Sequence, residues 1–315
     1  MKIMHKVLIT GGAGFIGSHL ADKLTGNGLA HVVVLDNMRR GSLENLRDCH
    51  ARIAVRTGDI LDRHVLAECV KECDVVFHLA AQSNVIGAAQ NGDYCFAANV
   101  EGTYNVLEAA RAAGVRRIVF SSSREVYGDP GKLPVAESAP LAPKNAYGTS
   151  KAAGEVYCRA WRNNGMEVAI LRLANVYGSR DRGRVIPIFI ENALANDPIV
   201  VYGGSQVVDF VWIGDVVDVL VQAGLGEYME TPVNFGSGHG VTVEKLAQRV
   251  LHATGSSSQI QYLPSRDVEV TRFEADTTMS RRLFRIEMRP DPLWRLGDVV
   301  ESIRSAQPAY TAGKS

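Results

Sequence analysis

The stretch Val7-Leu8-Ile9-Thr10-Gly11-Gly12-Ala13-Gly14-Phe15-Ile16-Gly17-Ser18-His19-Leu20 decides how the rest of the chain is organised. It begins with a short apolar run, which is typical of a buried strand. Four glycines follow within seven residues, and apolar residues then recur at helical spacing. A strand, a glycine turn and a helix in this order are typical of a dinucleotide site, where free N–H groups and the helix dipole hold a pyrophosphate.

An acidic residue in the right place supports this interpretation. Asp36 follows the apolar run His31-Val32-Val33-Val34-Leu35 and stands nineteen residues after Gly17. An acid at about that distance, at the tip of the second strand, can accept hydrogen bonds from an adenosine ribose. The pattern G-x-G-x-x-G is met by Gly12, Gly14 and Gly17. An ordinary surface turn does not need all these features in order, so we predict a dinucleotide site.

Length and composition are those of a globular protein. The chain has 315 residues, of which 46% are hydrophobic and 22% charged, enough for one large or two modest domains. Its 34 basic and 34 acidic residues balance, which argues against nucleic acid and membrane surfaces as partners. Five scattered cysteines complete no metal site and predict reduced thiols in a cytoplasmic protein. No apolar run reaches the ~18 residues of a membrane span, and the glycine-broken N-terminus does not resemble a signal peptide.

Strand and helix patterns alternate as far as residue 173. We predict strands at Ile53–Arg56, Val75–Leu79, Arg117–Phe120 and Val168–Leu173, and helices near 42–49, 62–72, 92–113 and 146–164. Repeated β-α units indicate an α/β fold, a Rossmann-type doubly wound parallel sheet. The carboxyl ends of its strands share one edge, where a crevice is expected to collect Gly11–Gly17, Asp36, Asp59, Ala80–Asn84 and Ser121–Arg124.

The last third of the chain is less regular. It holds a basic loop at 180–184, a glycine turn at 202–204, and helical patterns near 214–224, 242–253 and 296–305. We interpret it as a smaller, discontinuous α/β domain that binds substrate. The predicted division is residues 1–173 plus about 207–230 for the dinucleotide domain, about 174–206 plus 231–305 for the substrate domain, and a disordered tail at 306–315.

The stretch Tyr147-Gly-Thr-Ser-Lys151 opens a predicted helix and is the best candidate for catalysis. Positions i and i+4 share a helix face, so the ammonium can lower the pKa of the phenol and make it a better base. A second copy, Tyr310–Lys314, falls in the predicted tail and is attributed to chance. The copy at 147 differs because it follows a dinucleotide site and the strand-end serines Ser121–Ser123, although such serines also form caps and turns.

Together these motifs resemble those of the extended short-chain dehydrogenases/reductases, specifically the nucleotide-sugar epimerase/dehydratase family, which contains the UDP-galactose 4-epimerases. The resemblance runs from about residue 6 to 305. Its signature Thr-Gly-x-x-Gly-x-x-Gly is met by Thr10, Gly11, Gly14 and Gly17. Further matching stretches are Leu35–Asn37, Gly58–Ile60, His78–Gln82, Asn99–Thr103, Ser121–Ser123 and Val126–Gly128. The resemblance implies an isomerase with bound NAD, a UDP- or dTDP-hexose as substrate, and a homodimer paired through the helices near 92–113 and 146–164.

The resemblance also implies roles for single residues. Tyr147 is the implied base, Ser123 its partner on the sugar hydroxyl, and Lys151 a ligand of the nicotinamide ribose. The implied cofactor-binding residues are Gly11, Gly14, Phe15, Ile16, Gly17, Asp36, Asn37, Asp59, Ile60, Leu79, Ala80, Ala81, Asn99, Ser121, Tyr147 and Lys151. The implied substrate-binding residues are Gln82, Ser83, Ser123, Asn175, Arg184, Val185, Tyr202 and Arg266. Asp36 would also repel the 2′-phosphate of NADP, so NAD is the expected cofactor.

One position departs from the family at the phosphate-binding end. The family commonly places arginine before Asp-Phe, but Val208 stands there. One phosphate contact is therefore missing, and Arg180, Arg182 and Arg272 are candidate replacements.

Two further positions bear on the reaction. Arg124 stands where the dehydratases carry an acid, and arginine cannot act as a general acid at neutral pH. Glu125 matches a glutamate of the dehydratases and UDP-glucuronate decarboxylases, but a structural carboxylate would explain it equally well. We therefore expect C4 epimerisation first, decarboxylation second and 4,6-dehydration third. The alternative from another functional class is a regulator that binds a dinucleotide but catalyses no reaction.

Overall fold

A seven-stranded parallel sheet forms the centre of the computed structural model, which describes residues 5–306. The strands in chain order are β1 (His5–Thr10), β2 (Ala30–Asp36), β3 (Ile53–Thr57), β4 (Val75–His78), β5 (Arg117–Ser123), β6 (Glu167–Leu173), β7 (Asn175–Tyr177), β8 (Ile199–Tyr202), β9 (Val207–Trp212), β10 (Val233–Phe235), β11 (Gly240–Thr242) and β12 (Ile260–Leu263). The central sheet has the order β10-β6-β5-β4-β1-β2-β3. The strand order reverses between β1 and β4, and this is where parallel sheets bind ligands. The predicted α/β doubly wound fold is confirmed.

The helices flank this sheet and the smaller sheets. They are α1 (Phe15–Gly26), α2 (Arg63–Cys69), α3 (Val85–Gln90), α4 (Gly92–Phe96), α5 (Gly102–Ala112), α6 (Ala146–Asn163), α7 (Val185–Ala195), α8 (Ile213–Leu225), α9 (Val243–Thr254), α10 (Thr278–Phe284) and α11 (Leu296–Ala306). A π-helical turn, Ala97–Glu101, joins α4 and α5 into the long helix expected near 92–113. The prediction of a helix near 42–49 was wrong, since only short 3₁₀ turns form at Leu43–Leu46 and His50–Arg52.

Both faces of the central sheet are buried because its strands are almost continuously apolar. In β1, Leu8 faces one core, which it shares with α2 and α5, while Val7 and Ile9 face the other, which includes residues of α1 and α8. This is the burial expected of a parallel sheet covered by helices on both sides. The packing fixes the carboxyl edge of the sheet, which carries the residues of the site.

A second, smaller unit packs at that edge. Strand β9 pairs with β7 in parallel and with β11 antiparallel, and β8 pairs with β12. Helices α7, α9 and α11 cover a third apolar cluster around Phe189 and Ile190. Arg184, the last residue of the predicted basic loop, is the N-cap of α7. Pro187 lies in the first turn, where a helix does not need the N–H that proline lacks.

The pairing of two strands bears on the proposed domain division. Strand β9 falls within the segment assigned to the dinucleotide domain but pairs in the smaller sheet, whereas β10 falls within the other segment but is the edge strand of the central sheet. The division stays a proposal, and these pairings favour a second dinucleotide segment that begins after β9 and includes β10. The predicted tail and the motif Tyr310–Lys314 lie outside the described residues, apart from Ala306, which ends α11.

Two further observations concern the chain as a whole. All five cysteines are free and buried. Within residues 5–306, no helix combines the length and the apolar character that a membrane crossing requires.

Candidate active site

The glycine turn lies against the end of β4. Gly11 has φ +72°, and a Cβ at this position would come within 2.7 Å of the Ala80 nitrogen. A Cβ at Gly17 would come within 2.3 Å of the Gly11 oxygen. Gly14 caps α1 without a side-chain hydrogen bond, which leaves N–H groups of the first turn free for a ligand. The turn therefore has the close-packed, donor-rich geometry that a pyrophosphate needs.

Asp36 is tied to this turn. Its carboxylate accepts hydrogen bonds from the Ala13 N–H at 3.0 Å and the Met38 N–H at 2.8 Å. Burial raises the pKa of Asp36, although these N–H groups oppose the shift. Each oxygen keeps a lone pair, so a ribose hydroxyl can still bond to the carboxylate.

A cavity of about 430 Å³ runs along the edge of the sheet from Asp36 to Lys151. The structure brings most of the predicted cofactor residues together on its wall: Gly11, Gly14, Phe15, Ile16, Gly17, Asp36, Asn37, Asp59, Ile60, Leu79, Ala80, Ala81, Ser121, Tyr147 and Lys151. Only Asn99 of the predicted set does not line it. The glycine turn, the carboxylate at one end and the buried lysine at the other together fit a dinucleotide.

Asn99 supports the wall from behind. It is 1% exposed, and its side chain accepts from the Gln82 N–H at 2.7 Å and donates to the Gln82 oxygen at 3.1 Å. It also donates to the Ser150 hydroxyl at 2.9 Å. Asn99 therefore positions the chain that follows β4 rather than facing the cavity.

Lys151 and Tyr147 stand side by side at the start of α6. The Lys151 ammonium donates to the Ser121 oxygen at 2.8 Å, and burial lowers its pKa to about 8. Burial raises the pKa of Tyr147, while the charge of Arg184 and the hydroxyl of Ser123 act in the opposite direction. The sequence predicts a pKa lowered by Lys151. Here the pKa of the phenol is shifted upward because burial dominates, and Arg184 is the main cation acting on it.

A second cavity of about 530 Å³ opens on the other side of Tyr147. Of the predicted substrate residues it is lined by Ser83, Ser123, Asn175, Arg184, Val185, Tyr202 and Arg266, whereas Gln82 lines the first cavity alone. Ser123, Tyr147 and Arg184 line both cavities. A cofactor in the first cavity and a substrate in the second would therefore meet at the Tyr147 hydroxyl.

None of the three candidate replacements for the missing phosphate ligand lines the second cavity. Arg180 and Arg182 line the first cavity, and Arg180 pairs with Asp22 at 2.7 Å. Arg272 lines neither cavity. The cations on the substrate side are instead Arg124, Arg184 and Arg266.

Arg124 and Glu125 form a buried pair at the end of β5. The guanidinium of Arg124 lies 2.9 Å from one Glu125 oxygen and donates through Nε to Asn175 Oδ1 at 2.5 Å. The other Glu125 oxygen accepts from Asn145 Nδ2 at 2.7 Å. Both oxygens of Glu125 are thus engaged, which favours a structural carboxylate over a free base.

Sequence reasoning missed two residues that close the site. Asp181 is 8% exposed, lines both cavities, and has a pKa raised to about 6 by burial. Arg40 lines the first cavity and donates to the Arg182 oxygen at 2.9 Å, which ties the basic loop to the end of β2. The arginine clusters at 39–40 and 180–184 were the available signal, but their proximity depends on the fold.

Residues 7–228 match the NAD dependent epimerase/dehydratase family. This chain belongs to that family. A UDP-glucose 4-epimerase of Mycolicibacterium smegmatis is 36% identical over 290 residues, covering 88% of this chain and 92% of that protein. A UDP-N-acetyl-alpha-D-glucosaminuronate decarboxylase of Bacillus cytotoxicus is 32% identical over 309 residues, covering 93% and 95%.

A solved structure extends the comparison. The UDP-glucose 4-epimerase of Thermus thermophilus, crystallised as a complex with NAD, has a TM-score of 0.87 and 31% identity, covering 96% of this chain and 99% of its own. The protein is therefore an NAD-dependent enzyme of the epimerase/dehydratase family, as the motifs predict. Its relatives include epimerases and a decarboxylase, so family membership leaves the reaction open among them.

Proposed function

We propose that this family member is a 4-epimerase of nucleotide-diphosphate sugars. The observation that carries the proposal is the meeting of the two cavities at Tyr147, with Ser123 lining both and Lys151 behind it on the cofactor side. An epimerase needs the cofactor and the sugar in direct contact, with one acid–base group within reach of both. Bound NAD would supply the hydride acceptor for C4 and, once the keto-sugar has turned over in the site, the hydride donor to its opposite face.

The chain's own residues supply the proton transfer and the positioning. Tyr147 takes the proton of the C4 hydroxyl, and Ser123 donates to the oxygen left behind. Lys151, held by the Ser121 oxygen at 2.8 Å, bonds the nicotinamide ribose, while Arg184 is the cation that favours the Tyr147 phenolate. Arg266, whose guanidinium lies 3.6 Å from the centre of the Tyr202 ring, is the proposed diphosphate ligand at the far end of the substrate cavity.

The residue after Ser123 separates epimerisation from dehydration. A 4,6-dehydration needs a proton donor for the departing 6-hydroxyl, and such help is worth roughly 10²- to 10⁴-fold. Arg124 cannot provide it, and the oxygens of Glu125 are held by Arg124 and Asn145. Decarboxylation of a 4-keto uronic acid needs no such donor. It is the second candidate, supported by the decarboxylase of Bacillus cytotoxicus among the relatives.

Product analysis tests this proposal. The purified enzyme is incubated with UDP-glucose, UDP-glucuronate and thymidine-diphospho-glucose without added reductant, and the products are identified by NMR. A C4-inverted sugar that keeps every carbon and its 6-substituent is expected. A 4-keto-6-deoxy sugar, or carbon dioxide as the main product, would replace the proposal with dehydration or decarboxylation. No turnover of any nucleotide sugar would favour the non-catalytic regulator.

We also propose a homodimer paired through the helical segment 92–112 and α6. Phe96 on the first segment and Val156 on α6 are 62% and 60% exposed, and Tyr157, the next residue of α6, is 37% exposed. Val106 and Leu107 on the same helical segment are buried against the sheet and serve the monomer core instead. An exposed apolar patch of this kind marks a protein contact.

The cytoplasmic location stays a prediction.

A further inference from the structure

A buried arginine stands beside the proposed reaction centre without a role in the proton transfer. Arg124 follows Ser123 directly and lines the substrate cavity. Its side chain is only 10% exposed. Arginine is rarely buried to this extent unless its guanidinium is paired, because removing it from water is costly.

The partners of Arg124 leave part of its guanidinium unused. Nε donates to Asn175 at 2.5 Å and Nη2 pairs with Glu125 at 2.9 Å. Among the described residues Nη1 is buried and has no hydrogen-bond partner. A buried donor without an acceptor destabilises the free protein, and an acceptor brought by a ligand would remove that cost. An oxygen atom of the substrate would supply the missing acceptor.

The position of Arg124 indicates which oxygen this is. Ser123 and Tyr147 are assigned to the C4 hydroxyl, so the next residue lies near a substituent of a neighbouring carbon. The C6 group, attached to C5, is one such substituent. A hydroxymethyl group there would need no charged partner, whereas a carboxylate matches a guanidinium in charge and in planar geometry.

We propose that Arg124 binds the C6 carboxylate of a nucleotide-diphosphate hexuronic acid and makes this class the preferred substrate. The proposal rests on the proposed C4 epimerase function, because it takes Ser123 and Tyr147 as the groups at C4. It assigns a specificity role to the position at which the dehydratases carry an acid.

The same contact opposes decarboxylation. Loss of carbon dioxide from the 4-keto acid breaks the C5–C6 bond, and its electron pair forms an enolate whose charge lies on the oxygen at C4. The enolate carbon, C5, then takes a proton from water. A cation on the carboxylate stabilises the acid before this step but not the leaving carbon dioxide, so Arg124 raises the barrier. Retention of the carboxylate is what a 4-epimerase of uronates requires.

The test compares two substrates in matched variants. The kcat/KM for C4 inversion is measured with UDP-glucuronate and UDP-glucose in the wild type, Arg124→Gln and Arg266→Gln. We expect the wild type to prefer UDP-glucuronate. Arg124→Gln should lower kcat/KM for this substrate by about 10- to 100-fold, and by only a few fold for UDP-glucose. Arg266→Gln should lower kcat/KM for both substrates to a similar extent, since both carry the diphosphate.

Two further measurements distinguish a loss of substrate recognition from a folding defect. Removing Arg124 alone leaves Glu125 buried without its cation, so the double variant Arg124→Gln/Glu125→Gln is assayed beside it and should show the same loss of preference. The affinities of both sugars for the inactive Tyr147→Phe holoenzyme are also measured, with at least tenfold tighter binding of UDP-glucuronate expected. Because Arg124 is unchanged in Tyr147→Phe, this comparison does not depend on how the Arg124 variants fold.

The outcomes separate the two proposals. C4 inversion with a preference for UDP-glucose, equal affinities in Tyr147→Phe, or equal loss for both sugars in Arg124→Gln would overturn the role of Arg124 and leave the epimerase proposal standing. Turnover without C4 inversion would contradict the epimerase proposal itself.

Discussion

The Lys151 ammonium donates a hydrogen bond to the Ser121 backbone oxygen across 2.8 Å, which joins α6 to the end of β5. This contact fixes the ammonium at the wall of the cofactor cavity, beneath the proposed site of the nicotinamide ribose. It also sets the electrostatics of the site, because the lysine is buried and has a pKa lowered to about 8.

The first prediction follows from this pKa. Lys151 is protonated below pH about 8 and loses its charge and one donor as the pH rises above that value. NAD affinity, measured by titration of the NAD-free protein, should fall between pH 8 and pH 9.5. Lys151→Met should bind NAD weakly at all these pH values and turn over slowly. An unchanged pH dependence in Lys151→Met would assign the titration to another group.

The second prediction concerns the base. Tyr147→Phe removes the ionisable oxygen and keeps the ring, so turnover should fall by at least the roughly 10²- to 10⁴-fold that acid–base catalysis contributes. The NAD content of the purified variant should stay at the wild-type level. Tyr104→Phe is the control, because Tyr104 packs against Tyr157 and Trp161 and lines neither cavity. Full activity in Tyr147→Phe would place the base elsewhere.

The third prediction concerns stability and pH. His78 is buried between the hydroxyls of Thr10, at 2.8 Å, and Thr103, at 3.0 Å. Thr103 donates to the Asn99 oxygen, so it accepts from His78 Nε2–H. Burial lowers the pKa of His78 to about 3, so the ring is neutral at pH 7 and its Nδ1 accepts from the Thr10 hydroxyl.

The sign of the effect follows from this shift. The folded pKa lies below the unfolded value of 6.5, so the contribution of His78 is complete above pH 6.5 and is lost as the pH falls toward 3. In urea unfolding, the stability advantage of the wild type over His78→Asn should shrink by roughly 1 kcal/mol between pH 7.5 and pH 5.5. An advantage independent of pH would mean that His78 does not titrate on unfolding.

The fourth prediction tests the proposed dimer. Phe96→Asp or Val156→Asp places a charge in the exposed apolar patch and should yield a monomer by light scattering at micromolar concentration. Leu43→Asp is the control, since Leu43 is 53% exposed but lies in a 3₁₀ turn outside both helices. A wild type with monomer mass, or dimeric patch variants, would contradict the proposed interface.

The predicted site features that the structure brings together are local. The glycine turn, Asp36 and the pair Tyr147 and Lys151 depend on spacing along one or two elements, and each lies on the cofactor cavity. Asn99 belongs to a stretch that matches the family. Its position behind the wall of the cofactor cavity, however, depends on how the π-helical turn packs against Gln82 and Ser150. A motif match alone cannot show which way such a side chain faces.

The features that were missed depend on distant segments. Arg40 and Arg182 are far apart in the chain and meet because β2 ends beside the basic loop. The pKa of Tyr147 is shifted upward because burial, which no spacing reveals, outweighs the charges around it. Arg184 and Arg266 were predicted as substrate-binding residues, but only the fold shows that Arg124, from the end of β5, lies on the same wall.

An isotope experiment tests the central claim most directly. UDP-glucuronate and UDP-glucose, each carrying deuterium at C4, are incubated with the enzyme in ordinary water, and the products are examined by NMR and mass spectrometry. If C4 is oxidised transiently and the same hydrogen returns, the product is the C4 epimer with its deuterium retained. A C4 epimer that has exchanged deuterium for solvent hydrogen, or a product not inverted at C4, would contradict the account.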